Sequence, residues 1–240
     1  QPKLTVTKVV VNDNGGAAVV GDFTLRVNTT VVASGVLTGF NAGAYVVSET
    51  GPGGYASAIS GDCAGGGSIT LALGDVKSCT ITNDDIQPKL TVTKVVVNDN
   101  GGAAEVGDFT LNVNATTVTS GVQTGFNAGS YTVSETGPGG YASAIGGDCE
   151  ADGSITLQLG DVKSCTITND DIQPRLTVTK VVVNDNGGTA EVEDFTLKVD
   201  GAEVDSGVQT GFNAGSYVVS ETGPGGYASA ISGDCAPNGS

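Results

Sequence analysis
The sequence predicts an all-β protein: Ig-like β-sandwich domains in tandem, forming an elongated array. Three observations carry that expectation. The chain repeats itself, with QPKLTVTKVVVNDNGG starting at Gln1 and Gln87 and QPRLTVTKVVVNDNGG at Gln173, a period of 86 residues. A unit of that length suits one small sandwich and is too long for a solenoid repeat. Val and Thr dominate the periodic segments and helix formers are scarce, which favours strands. Those segments alternate apolar and polar residues between Gly-, Pro- and Asn-rich turns. The expected domains are 1–86, 87–172 and 173–240, the last stopping before its final strands.

Within the first copy, Leu4–Val11 alternates and is followed by NDNGG (Asn12–Gly16), which supplies hairpin-turn chemistry. Asp22–Asn28 places Phe23, Leu25 and Val27 on one face. In the next strand the copies differ at flanking positions (Val31, Thr117, Glu203; Ala33, Thr119, Asp205) and agree between them (Val32, Val118, Val204). Drifting polar positions around a constant valine mark a solvent face and a core face. Ala44–Thr50, the GPGG turn, Tyr55–Ile59, Ser68–Leu73 and Ser78–Asn83 complete seven or eight short strands, mostly antiparallel. The junction NDDIQPKL (Asn83–Leu90) is short and contains a proline, which predicts a semi-rigid connection.

Charge and cysteine use exclude several functions. A net charge of −16 argues against binding nucleic acid or an anionic membrane through a basic patch. No apolar run approaches the ~20 residues that span a bilayer. With no histidine there is no Ser-His-Asp or Cys-His site, and near-identical repeats would multiply any glycosidase carboxylate pair. Cys63/Cys79 and Cys149/Cys165 recur at one spacing, and Cys235 has no partner before the end of the sequence. Regular pairs without CxxC spacing read as disulfides in an oxidising, extracellular setting. Each would contribute ~3 kcal/mol on the chain-entropy model. Two ligands per domain are too few for zinc.

The alternation also places three polar residues on apolar faces. Lys8 shares a face with Leu4, Val6 and Val10; Glu49 with Tyr45 and Val47; Asn83 with Cys79 and Ile81. The second copy repeats the trio as Lys94, Glu135 and Asn169, and the third keeps Lys180 and Glu221. Burying a lysine and a glutamate costs several kcal/mol per ion unless they compensate each other. Two outcomes are open. Lysine and glutamate can form a buried ion pair to which the asparagine hydrogen-bonds. Alternatively, the lysine amine attacks the asparagine carboxamide and ammonia leaves, with the glutamate polarising the carbonyl and moving protons.

The strand-ending ETGPGGY resembles the E-T-x-A-P-x-G-Y signature of collagen-adhesin B-type domains, the SpaA-like, prealbumin-like repeats of bacterial surface proteins and pilins. Lys8 in LTVTK and Asn83 in TITND also resemble that family, and the likeness covers the whole repeat in order. It implies a prealbumin-like fold and an intramolecular Lys–Asn isopeptide bond assisted by the glutamate. The sequence departs from the pattern in two places: Gly51 stands where alanine is usual, and Val9–Val11 follow Lys8 where an acidic residue often stands.

The expectation is therefore a structural segment of an extracellular filament, pilus-like fibre or adhesin stalk. Its partners would be copies of itself in a fibre, or further repeats of a longer chain. Its chemistry would be self-directed and single-turnover, so it is not expected to be an enzyme. A multivalent binder of polysaccharide or host protein is the alternative, and Phe40 is the aromatic residue left uncommitted for it; a spacer on a secreted hydrolase is a third. No cofactor is required. Asp13, Asp84 and Asp85 would meet at one end of the repeat as a candidate Ca²⁺ site, although Asn-Asp-Gly clusters also simply make turns, the reading preferred here.

Overall fold
The computed structural model describes residues 1–240. The chain packs as two compact units, one of Gln1–Lys94, Thr110–Thr136 and Ile145–Ile167, the other of Val95–Phe109, Gly137–Ala144 and Thr168–Ser240. No helix is long and apolar enough to cross a membrane.

The first copy lies wholly in the first unit and is all-β. Its strands are β1 (Lys3–Val11), β2 (Thr24–Val27), β3 (Thr30–Val32), β4 (Leu37–Gly39), β5 (Gly43–Thr50), β6 (Tyr55–Gly61), β7 (Ser68–Leu71) and β8 (Val76–Asp85). They form two four-stranded sheets, ordered β4-β1-β8-β6 and β3-β2-β5-β7. Alternation along each strand sends one set of side chains between the sheets. Leu4, Val6, Leu25, Val27, Val47 and Ile81 are almost fully buried there. Val32 is buried while Val31 is 59 % exposed, as the drift between copies predicts.

Two details differ from the sequence reading. Asn12–Gly16 is not a hairpin, because β1 and β2 lie in different sheets; the turn carries the chain from one sheet to the other. Leu37–Gly39, too short to show a period, forms an edge strand antiparallel to β1. β1 and β8 run parallel over nine residue pairs, with Val6 opposite Cys79, Lys8 opposite Ile81 and Val10 opposite Asn83. First and last strands are thus direct neighbours, and the turn after β1 meets the end of β8.

Disulfides join Cys63 to Cys79, with Cα atoms 5.4 Å apart, and Cys149 to Cys165, at 5.3 Å. The second copy has eight strands at matching positions. Its sheet of Thr116–Val118, Thr110–Val113, Gly129–Thr136 and Ser154–Leu157 has the same order as β3-β2-β5-β7. In the third copy Arg175–Thr177 pairs with Gln209–Gly211, and Thr196–Val199 with Ala202–Val204 and Val219–Thr222. That copy reaches Ser240, the counterpart of Ser68, so no counterpart of β8 lies in the sequence. Residues 178–183, which match the rest of β1, are not a strand.

Candidate functional site
The parallel β1–β8 pair and the inward face of β5 bring Lys8, Glu49 and Asn83 together. Lys8 and Asn83 are each 4 % exposed. Lys8 Nζ lies 3.0 Å from Glu49 Oε2 and donates to Asn83 Oδ1 at 2.5 Å and to the Ile81 carbonyl at 3.5 Å. The Phe23 ring is the apolar floor of the site, its centroid 4.3 Å from Nζ. Ser57 Oγ donates to the second carboxylate oxygen, Glu49 Oε1, at 2.9 Å. The Lys8 amine is therefore in contact with both the Asn83 carboxamide oxygen and the Glu49 carboxylate, the groups that an amine attack and a proton relay would use.

The second copy places Lys94 Nζ 2.9 Å from Glu135 Oε2 within the first unit, and Asn169 is buried in the second unit. In the third copy Lys180 Nζ is 2.6 Å from Glu221 Oε2. The hydrogen bond from Lys180, with another from Ser229, holds the Glu221 carboxyl below the usual glutamate range against the opposing effect of burial. An open groove of about 230 Å³ runs beside Lys180 and Glu221 and reaches Cys235, which is in no disulfide.

The three aspartates also meet. Carboxylate oxygens of Asp13, Asp84 and Asp85 lie within 4.8 Å of one another, as do those of Asp99, Asp170 and Asp171. Asp85, 3 % exposed, accepts backbone N–H bonds from Asp13, Asn14 and Gly16 and one from the Asn14 side chain. This carboxylate organises the Asn12–Gly16 turn, and a cation there would compete with those donors. Burial pushes the Asp85 carboxyl up, but the Gly16, Asn14 and Asp13 donors outweigh it and hold the group below the ordinary range. Asp13 moves the other way, raised by its hydrogen bond with Asp85, by burial and by repulsion from Asp84 and Asp85.

The aromatic residues are engaged in packing. Phe40 is 9 % exposed and lies 5.4 Å from the Tyr45 ring; Tyr55 meets Phe23 edge-on at 5.8 Å and accepts the Ala18 N–H on its hydroxyl. Phe40 is thus a core residue, and the platform a glycan binder would use is not formed by it.

Sequence reasoning did not single out Ser57, Phe23 as the floor, or Asp85 as the turn's acceptor. The signals were present. Ser57 sits in YASAI, repeated at Tyr141 and Tyr227, two residues from inward-facing Tyr55 and Ile59. Asp85 continues the Cys79, Ile81, Asn83 alternation by one step.

Such a chain is, by fold and site, an all-β protein of repeated copies, each of which pairs a lysine with a glutamate, and the first two of which close a disulfide. It belongs to the prealbumin-like fold domain family, whose sequence model matches residues 1–81, 85–167 and 171–239. Among solved structures, the Bacillus anthracis TIE protein is similar at 20 % identity and a TM-score of 0.47, over 95 % of this chain and 46 % of that one. This chain therefore spans about half the length of that relative. The major pilin T3.2 of Streptococcus pyogenes is similar at 17 % identity and a TM-score of 0.34, over 71 % of this chain and 98 % of the pilin. The minor pilin GBS52 of Streptococcus agalactiae follows at 12 % and 0.26, over 76 % of this chain and 100 % of that one. A comparison with curated protein sequences finds no match.

Proposed function
We propose that this chain is a load-bearing repeat segment of an extracellular filament, pilus-like fibre or adhesin stalk, with domains 1–86, 87–172 and 173–240. In the first two, a Lys–Asn isopeptide bond ties first strand to last. The observation that carries this reading is the contact of Lys8 Nζ with both Asn83 and Glu49 in a buried site between β1 and β8. Lys8 first cedes a proton to Glu49, and its amine then attacks Cγ of Asn83, forming the new C–N bond. Glu49 takes a proton from the attacking nitrogen and gives one to the carboxamide nitrogen, which leaves as ammonia. The product is one secondary amide and one NH₃, and the lysine charge is gone from the core. This chemistry is spent once, on the chain itself.

The strand arrangement gives the bond a mechanical meaning. Tension enters the repeat at the start of β1 and leaves at the end of β8, so it shears their parallel ladder. A bond from Lys8 to Asn83 passes that load directly and leaves the intervening strands unloaded. Disulfides support an oxidising, extracellular setting for the same part.

The test is the intact mass of the denatured, reduced chain. It is expected to be two ammonia molecules lighter than its sequence, with the losses mapped to Lys8–Asn83 and Lys94–Asn169. A mass equal to the sequence would sink the isopeptide and leave the trio as a buried ion pair with an asparagine beside it.

A further inference from the structure
We propose that Ser57 is a positioning residue for the cross-linking step, with Ser143 and Ser229 its counterparts by repeat position; this rests on the isopeptide reading above. Ser57 stands on β6 directly opposite Asn83 in the antiparallel β6–β8 register. Its hydroxyl donates to Glu49 Oε1 at 2.9 Å, while Oε2 of the same carboxylate faces Lys8 Nζ at 3.0 Å. One oxygen is anchored and the other is presented to the amine.

A glutamate has three side-chain torsions, and on a relay between two nitrogens a small rotation separates it from either. Fixing Oε1 removes that freedom and keeps the proton-carrying oxygen in line with the attack. A serine hydroxyl suits the task because it both donates and accepts. It hydrogen-bonds Glu49 before the proton is taken up and can follow the carboxyl when it is protonated. Ser57 is itself exposed, and the Glu49 side chain retains 11 % of its surface. The serine edge is therefore the side from which solvent reaches the relay and by which ammonia can depart.

The contact does not depend on the asparagine. Ser229 hydrogen-bonds Glu221 in the third copy, whose sequence contains no counterpart of Asn83. The segment that holds Ser229 is not a strand, so the serine–glutamate contact does not require a paired β6.

The experiment uses the full chain with Ser57→Ala, purified unfolded and folded by dilution, with repeat 2 as an internal control. Ammonia loss at Lys8–Asn83 and at Lys94–Asn169 is followed by peptide mass spectrometry at several pH values. Cross-linking in the first repeat is expected to slow by about 10- to 100-fold relative to the second, with a displaced pH–rate profile. Ser57→Thr, which keeps the hydroxyl, is expected to restore most of the rate. Equal rates in both repeats of the Ser57→Ala chain would overturn the role of Ser57 while leaving the isopeptide standing. Absence of cross-links in the unsubstituted chain would overturn both, the isopeptide first. A Ser57→Ala chain whose first repeat fails to fold is separated from a slow one by circular dichroism, and Ser57→Thr then decides: a native rate supports the hydroxyl, a rate as slow as repeat 1 of an unfolded chain removes it.

Discussion

Individual carboxylates shape the pH response of a repeat, and the buried Asp85 is placed to do so. Its folded-state pKa is lowered, so its contribution is present above the ordinary aspartate value of about 3.9 and is lost as pH falls through the lower folded value. Asp13 is raised, so its ionisation works against folding and acidification relieves it first. Stability of the first repeat is therefore expected to rise slightly as pH falls into the range just above ordinary aspartate, then to drop below it. Urea midpoints at stepped pH would show this. Asp13→Asn should abolish the rise and keep the drop, whereas Asp85→Ala should diminish both, leaving the part of the drop contributed by Asp75, which the Ala72 amide and Lys77 also hold below the ordinary range. At neutral pH Asp85→Ala also strips the acceptor from the Asp13, Asn14 and Gly16 amides, at about 1–3 kcal/mol for each donor left buried and unpaired. Unchanged pH dependence in both variants would mean that the carboxylate does not organise the turn.

Between elements, packing explains a residue that departs from the family signature. Gly51 follows β5, and a Cβ there would sit 2.3 Å from Cδ1 of Phe23; the same clash arises at Gly137 with Phe109 and at Gly223 with Phe195. The missing methyl lets the Phe23 ring lie against the end of β5, over Lys8 Nζ and edge-on to Tyr55. Gly51→Ala is expected to destabilise the first repeat by about 1–3 kcal/mol, as overpacking does. A urea midpoint equal to that of the unsubstituted chain would show that the ring moves aside freely.

The same comparison shows how much of the site was legible. Period-two alternation placed Lys8, Glu49 and Asn83 inside because each strand has one buried face, and one residue of slip would have put its whole set in water. Which strands are neighbours is a different matter. The pairing of β1 with β8 spans most of the repeat, and alternation says nothing about partners, so the sheet-to-sheet crossing at Asn12–Gly16 read as a hairpin. Phe23 and Ser57 escaped for a related reason. Their roles arise from side chains of different strands meeting in space, and sequence order keeps those strands apart.

For the molecule as a whole, the junctions repeat as well as the domains. Within the first unit Ala128 N–H donates to the Asn14 carbonyl at 2.8 Å and Gly160 N–H to the Ile86 carbonyl at 2.7 Å. Within the second, Ala214 N–H donates to the Asn100 carbonyl at 2.6 Å. The turn that Asp85 organises is thus also the surface on which the following copy rests. Leu159, against Gly54, is half-buried, while its counterpart Leu73 in the first copy is 83 % exposed. Tension crossing such a junction arrives at the next first strand, so the decisive question at this scale is where each repeat yields.

Pulling the reduced chain from its two ends answers it. If Lys8 and Asn83 are joined, the residues between them cannot lengthen, and the same holds between Lys94 and Asn169. Asn83→Ala removes the electrophile but keeps the Lys8–Glu49 pair, so the core is not left with an unbalanced charge. It should add one new unfolding step of roughly 250 Å, the extended length of the chain between positions 8 and 83. Repeat 2 should stay inextensible in the same molecule. If both chains show the same number of steps, the load is carried by the β1–β8 hydrogen-bond ladder alone, and Lys8 is in the core as an ion-pair partner and not as a cross-link.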